Sequence, residues 1–145
     1  MKIKKEIITE NVKIALDEDI QGGDVTAALI EPYTLAEATL TSRDNAILCG
    51  TEWFNEVFNQ LDDSIEIEWL AVDGDKIKPN QSICNLKGSA HPILTGERTA
   101  INFLQTLSSV STSVSEFVAR IKHTKTKILD TRKTIPGLRH AQKYA

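Results

Sequence analysis

Apolar positions recur along this chain with two different periods, and the switches between them lay out its elements. Val12, Ala15 and Leu16 fall on one helical face. Thr9 can cap and Glu10 suits a first turn, so the helix is placed from Thr9 to just before Gln21-Gly-Gly23. The stretch from Asp17 to Thr26 is dense in acids and reads as a loop. Ala36, Ala38 and Leu40 alternate with Glu37, Thr39 and Thr41, the pattern of a half-buried strand. Ala46 to Cys49 continue as a more buried strand, closed by Gly50. Thr51 is placed as the cap of a second helix, with Trp53, Phe54, Val57, Phe58 and Leu61 as its core-facing stripe. Ile65, Ile67 and Trp69 then alternate with Glu66 and Glu68. Asp73-Gly74-Asp75 turns the chain, and Ile77, Ile83 and Leu86 supply short strands up to Gly88. Helix and antiparallel strands in this order predict an α+β sandwich.

Helical spacing returns from Thr95 to about Lys122, through Ile101, Leu104, Leu107, Val114, Phe117 and Ile121. Its middle is crowded with Ser108, Ser109, Ser111, Thr112, Ser113 and Ser115. Hydroxyl residues have mediocre helix propensity, so a break near Ser109 is predicted. Lys127-Ile-Leu-Asp130 reads as a short buried strand, Pro136-Gly137 as a turn, and Leu138 onward as a helix. A strand, a charged loop and a helix make a βα unit, which holds ligands at the carboxyl end of its strand. Such a unit cannot bury itself alone.

Charge is unevenly distributed. The 145-residue chain carries net −3. Residues 117–145 hold eight Lys or Arg against the single acid Asp130, leaving residues 1–116 strongly acidic. An anionic partner for the basic segment follows. Phe117 and Tyr144 are the only aromatics there, too few for stacking on single-stranded nucleic acid. A small polyanionic substrate fits better, with Lys122, Lys125 and Lys127 read as solvated surface. No apolar run approaches the ~20 residues of a membrane span, and the N-terminus lacks a secretory pattern. Cys49 and Cys84 sit among apolar neighbours, which favours reduced, buried thiols and a cytoplasmic setting. His91, His123 and His140 are isolated, so zinc is unsupported.

Three segments carry a family resemblance. Ala15-Leu-Asp-Glu-Asp-Ile-Gln-Gly-Gly-Asp-Val-Thr26 is similar to A-L-x-E-D-x-x-x-G-D-[IV]-T. Gly96-Glu-Arg-Thr-Ala-Ile-Asn-Phe-Leu-Gln105 is similar to E-R-T-x-[LI]-N-x-L-Q. Asp130-Thr-Arg-Lys-Thr-Ile-Pro-Gly-Leu-Arg139 is similar to D-T-R-K-T-x-P-G-x-R. Together, in this order, they resemble quinolinate phosphoribosyltransferase, also called nicotinate-nucleotide pyrophosphorylase (carboxylating). The resemblance covers the whole chain but about half of the family's length. Ser109 and Ser111 depart from it, standing where the family usually has Gly and Ala in its L-S-G-x-A-T stretch.

The resemblance implies an α+β fold: an N-terminal α/β sandwich with an antiparallel sheet over residues 1–109. Residues 110–145 would begin a truncated α/β barrel of the phosphoribosyltransferase type. The implied reaction belongs to NAD biosynthesis. It converts quinolinate and phosphoribosyl pyrophosphate to nicotinate mononucleotide, pyrophosphate and carbon dioxide, with Mg²⁺ accompanying the phosphoribosyl donor. Arg132 matches one carboxylate clamp, and planar guanidinium groups grip carboxylates bidentately. Arg98 matches the other, which in the family reaches into the neighbouring subunit of a homodimer. Lys133 matches a lysine meeting the charged substrates, and Thr131 adds a hydroxyl or backbone donor. Arg139 is a candidate either for ligand contact or for bracing the loop. Catalytic and metal-binding acids are expected in the family's later segments, so the 145-residue chain alone is expected to be inactive. Alternatives are a molybdenum-transport paralogue or nicotinate phosphoribosyltransferase, a non-catalytic dimerisation module, and non-specific nucleic-acid binding through residues 117–145.

Overall fold

The computed structural model describes residues 3–20, 30–31 and 34–145. Helix α1 spans Lys5–Ile20 and buries Ile8, Val12 and Leu16. It starts a turn earlier than Thr9 predicts. Thr9 does not cap; its hydroxyl donates to Glu56 Oε1 at 2.9 Å, a bond to another helix that local sequence cannot reveal. Asp17–Ile20, read from sequence as the start of an acidic loop, belong instead to α1, while the Gln21-Gly-Gly23 stop and the rest of the stretch to Thr26 lie outside the described residues.

The sheet is antiparallel, with strands β1 (Leu35–Thr41), β3 (Glu66–Trp69) and β5 (Ser82–Ser89) in the order β1-β5-β3. Thr39 faces Asn85 across the first pair, and Trp69 faces Cys84 across the second. Alternation holds along β1, where Ala36, Ala38 and Leu40 pack toward the core while their neighbours meet solvent. A second, two-stranded sheet joins β2 (Ala46–Ile47) to β4 (Lys76–Ile77). The β2 strand is shorter than expected, although Leu48 and Cys49 are buried beyond it.

Helix α2 runs from Thr51 to Leu61, with Gly50 as its N-cap in place of Thr51. Gly50 holds φ at +108°, a left-handed value that favours glycine, and Leu107 lies close behind it. Trp53, Phe54, Val57 and Phe58 form the predicted core stripe, each at most 2% exposed. Phe54 packs between Phe58 and the edge of Trp69, both at 5.2 Å between ring centroids. Buried Glu56 accepts from Thr9, Asn59 and Gln60, so its carboxylate is satisfied where α1 crosses α2.

Helix α3 spans Ala90–Ile121, 32 residues without a break. The predicted interruption near Ser109 does not occur, because the hydroxyls have partners. Ser108 bonds both backbone groups of Cys49, and the Ile47 N–H donates to Thr112 Oγ1 at 2.8 Å. Hydroxyls that are mediocre in an isolated helix here satisfy the backbone of the β2 segment. Residues 127–130 form no strand: they are exposed and lack a sheet partner among the described residues. A strand is stabilised by its neighbours, and Leu129 is 82% exposed. The predicted helix after Leu138 is present as α4, Arg139–Tyr144.

Candidate functional site

Arg98 sits in the third turn of α3, and its Nη1 donates to Asp19 Oδ1 of α1 at 2.8 Å. The arginine side chain is 71% exposed and the aspartate 23%. An exposed pair of this kind adds at most about 1 kcal/mol to stability but fixes the direction of the guanidinium. Asp19 lies in the first sequence motif and Arg98 in the second, so folding brings the two motifs into contact.

The third motif forms a loop over residues 131–138 that carries Thr131, Arg132 and Lys133 at its exposed crest. Thr131 Oγ1 accepts from the Lys133 N–H at 3.1 Å, which turns the backbone between them. Thr131 therefore shapes the loop with its hydroxyl, while the side chains of Arg132 and Lys133 stand in solvent. Arg139 donates through Nε to Thr134 Oγ1 at 3.4 Å, a bracing contact within the loop. Lys143 pairs with Asp130 at 2.6 Å. The Ile135 N–H donates to Gln142 Oε1, also at 2.6 Å.

A cleft of about 210 Å³ lies between these parts, lined by Ala15, Asp19, Thr99, Asn102 and Leu138 among others. Ala15 and Asp19 come from the first motif, Thr99 and Asn102 from the second, and Leu138 from the third. Three segments far apart in sequence thus share one concavity, and its lining residue Asp19 is the one that pairs with Arg98. A larger groove of about 720 Å³ lies elsewhere, between residues 40–46 and the middle of α3, and neither cavity is lined by Arg98, Thr131, Arg132, Lys133 or Arg139.

Several residues that hold this arrangement were not singled out from sequence. Asn11 Nδ2 donates to the Gly137 carbonyl at 3.2 Å, and Trp53 Nε1 approaches Asn11 Oδ1 at 3.4 Å. Tyr144 donates to Asp73 Oδ2 at 2.8 Å, and Asp73 Oδ1 accepts from the Thr51 N–H that opens α2. Burial first, and Asp73 second, push the Tyr144 phenol well above its usual range, so it stays a donor. Asp73 appeared in sequence only as a turn residue; no local pattern announces a partner 71 residues away.

Both cysteines are buried and unpaired, as their apolar neighbourhoods predict. Burial pushes Cys49 up to about 11 and Cys84 up to about 12. Among the described residues no three His, Cys, Asp or Glu side chains converge as metal ligands. No helix among the described residues is long and apolar enough to cross a membrane.

The N-terminal domain model of quinolinate phosphoribosyl transferase matches residues 24–108, and the C-terminal domain model matches residues 110–145. A solved nicotinate-nucleotide pyrophosphorylase from Francisella tularensis superposes with a TM-score of 0.94 at 48% identity. That match covers 99% of this chain and 51% of the other. The Bacillus subtilis (strain 168) protein named "Probable nicotinate-nucleotide pyrophosphorylase (carboxylating)" is 37% identical over 128 residues, 88% of this chain and 44% of that one. Quinolinate phosphoribosyltransferase (decarboxylating) 1 of Nicotiana glauca is 35% identical over 136 residues, 92% of this chain and 38% of its own length. The chain thus spans about half the length of these relatives or less. With both domain models matched in order and the α+β fold shared, the chain belongs to the quinolinate phosphoribosyltransferase family.

Proposed function

We propose that the whole protein transfers a phosphoribosyl group from phosphoribosyl pyrophosphate to quinolinate, releasing pyrophosphate and carbon dioxide. The observation that carries this reading is the convergence of the three motif segments on one cleft, whose lining residue Asp19 holds the Arg98 guanidinium. Quinolinate bears two adjacent carboxylates on a planar ring. Arg98 and Arg132 supply guanidinium groups suited to bidentate capture, and Lys133 adds a mobile point charge. Attack of the pyridine nitrogen on ribose C1 displaces pyrophosphate and builds positive charge at C1. The resulting pyridinium then accepts the electron pair left when the carbon–carbon bond to the departing carboxylate breaks. A proton replaces the lost group.

Mg²⁺ would travel with the phosphoribosyl donor, on ligands supplied by other parts of the whole protein. A homodimer with a shared site is favoured by the position of Arg98, whose exposed head projects from α3 where a second subunit can meet it. Apolar side chains at Phe117 (59% exposed), Val118 (47%) and Leu129 (82%) offer a surface that a following barrel domain would cover. Two buried thiols suit the reducing cytoplasm.

The test is Arg132→Lys in the whole protein, followed by titration calorimetry. Losing the two-pronged donor while keeping the charge should weaken quinolinate binding by at least ~1–2 kcal/mol. Affinity for phosphoribosyl pyrophosphate should change less. Unchanged quinolinate affinity would show that Arg132 only neutralises charge, and the clamp assignment would fall.

A further inference from the structure

The loop that bears Arg132 and Lys133 has almost no burial of its own. Residues 130–133 are exposed, and the helix behind them, α4, has six residues. A helix that short is not stable in isolation. Its hold on the rest of the molecule therefore sets where the loop stands. Four attachments supply that hold, one of them the Ser111 hydroxyl of α3 donating to the Ala145 carbonyl just after α4. Ala141 is fully buried against the core. The Tyr144 ring packs on Trp53 at 5.7 Å, and its hydroxyl donates to Asp73. Asn11, itself beside the Trp53 indole, ties down the Gly137 carbonyl. From α4 the constraint passes back to the loop through Gln142 to the Ile135 N–H and through Lys143 to Asp130.

Asp73 is the junction of this set. One carboxylate oxygen accepts from the Thr51 N–H at the start of α2, and the other accepts from Tyr144. The same side chain therefore fixes α2, the central helix of the sandwich, and the docking of α4. We propose that Tyr144 and Asp73 are positioning residues for the anion-binding loop: they set the location of Arg132 and Lys133 without touching ligand. This rests on the reading of that loop as the quinolinate clamp.

Two measurements test it in the whole protein. Tyr144→Phe keeps the ring on Trp53 and removes only the hydroxyl, and Asp73→Ala removes the junction. In both, hydrogen exchange at the Ile135 and Leu138 amides should quicken about tenfold or more while the α3 amides keep their protection. Asp73→Asn, with an acceptor for Thr51 and a donor for the Tyr144 oxygen, should restore slow exchange. Quinolinate affinity should fall about three- to tenfold in Tyr144→Phe and recover in Asp73→Asn, with Arg132→Ala as the reference for loss of the clamp. Unchanged exchange at Ile135 and Leu138 in Tyr144→Phe and Asp73→Ala would overturn the proposal. So would full quinolinate affinity in Tyr144→Phe beside a weakened Arg132→Ala. If exchange quickens but Arg132→Ala binds quinolinate normally, the positioning role stands and the ligand assignment fails.

Discussion

The Ser108 hydroxyl accepts from the Cys49 N–H at 3.0 Å and donates back to the Cys49 carbonyl at 3.2 Å. A helix side chain here does what a neighbouring strand would do for the β2 segment. Both groups are buried, so neither can turn to water when the hydroxyl is removed.

Ser108→Ala should therefore destabilise the chain by about 1–3 kcal/mol, the penalty for leaving a buried backbone donor unpaired. Ser109 is exposed and makes no such bond, so Ser109→Ala should stay within ~0.5 kcal/mol. Urea unfolding of the two variants checks the contrast. Equal stabilities would show that water or a backbone shift replaces the Ser108 hydroxyl.

At Gly96, α3 packs directly against α2. A Cβ there would lie 2.8 Å from Leu61 Cδ1, 2.9 Å from Phe58 Cε1 and 3.1 Å from Val57 Cγ1. Alanine is the better helix former by about 1 kcal/mol. Overpacking at this crossing should outweigh that gain, leaving Gly96→Ala about 1–3 kcal/mol less stable. A raised melting temperature in a thermal scan would mean that the two helices separate more easily than their packing implies.

Cys49 and Cys84 make stability fall in alkali. Each thiol has an ordinary value of 9.0 and is pushed up, to about 11 and about 12 respectively, mainly by burial. The folded state thus holds protons that the unfolded state has lost above pH about 9. Their contribution is full below that point and drains away as pH rises through the folded values. Tyr144 adds a loss of the same sign at still higher pH. Unfolding free energy measured from pH about 8 to about 11 should decline, and Cys84→Ala should flatten the decline. A slope unchanged by that variant would place the alkaline sensitivity elsewhere.

The stripe of α2 was legible in sequence because Trp53, Phe54, Val57 and Phe58 repeat at helical spacing and need only one core to face. The alternation of β1 was legible for the same reason. Ser108, Ser111 and Thr112 were misleading because their worth depends on partners far along the chain: Cys49, Ala145 and Ile47. Thr9 had the chemistry of a cap but bonds Glu56 instead. Lys127 to Asp130 had the composition of a strand without a neighbouring strand to pair with. In the candidate site the motif residues stood out through the family resemblance rather than through any periodic pattern. Asn11, Asp73 and Tyr144 did not, since each acts through one long-range bond and belongs to no periodic pattern.

The Ser111 hydroxyl donates to the Ala145 carbonyl at 2.8 Å, so the chain runs past Ser111 to the end of α3 at Ile121 and comes back to Ser111 after 34 residues. Topologically this is a tethered excursion with its two ends fastened at one point. The entropy of closing such an excursion depends only weakly on its length: each doubling adds about 0.6 kcal/mol. Residues inserted between Ile121 and Lys127, on the exposed outward limb, would lengthen the excursion without moving its fastening. The sandwich and the excursion can then diverge in length at different rates. An insertion inside α3 before Ser111 would instead rotate the fastening itself, by ~100° per added residue.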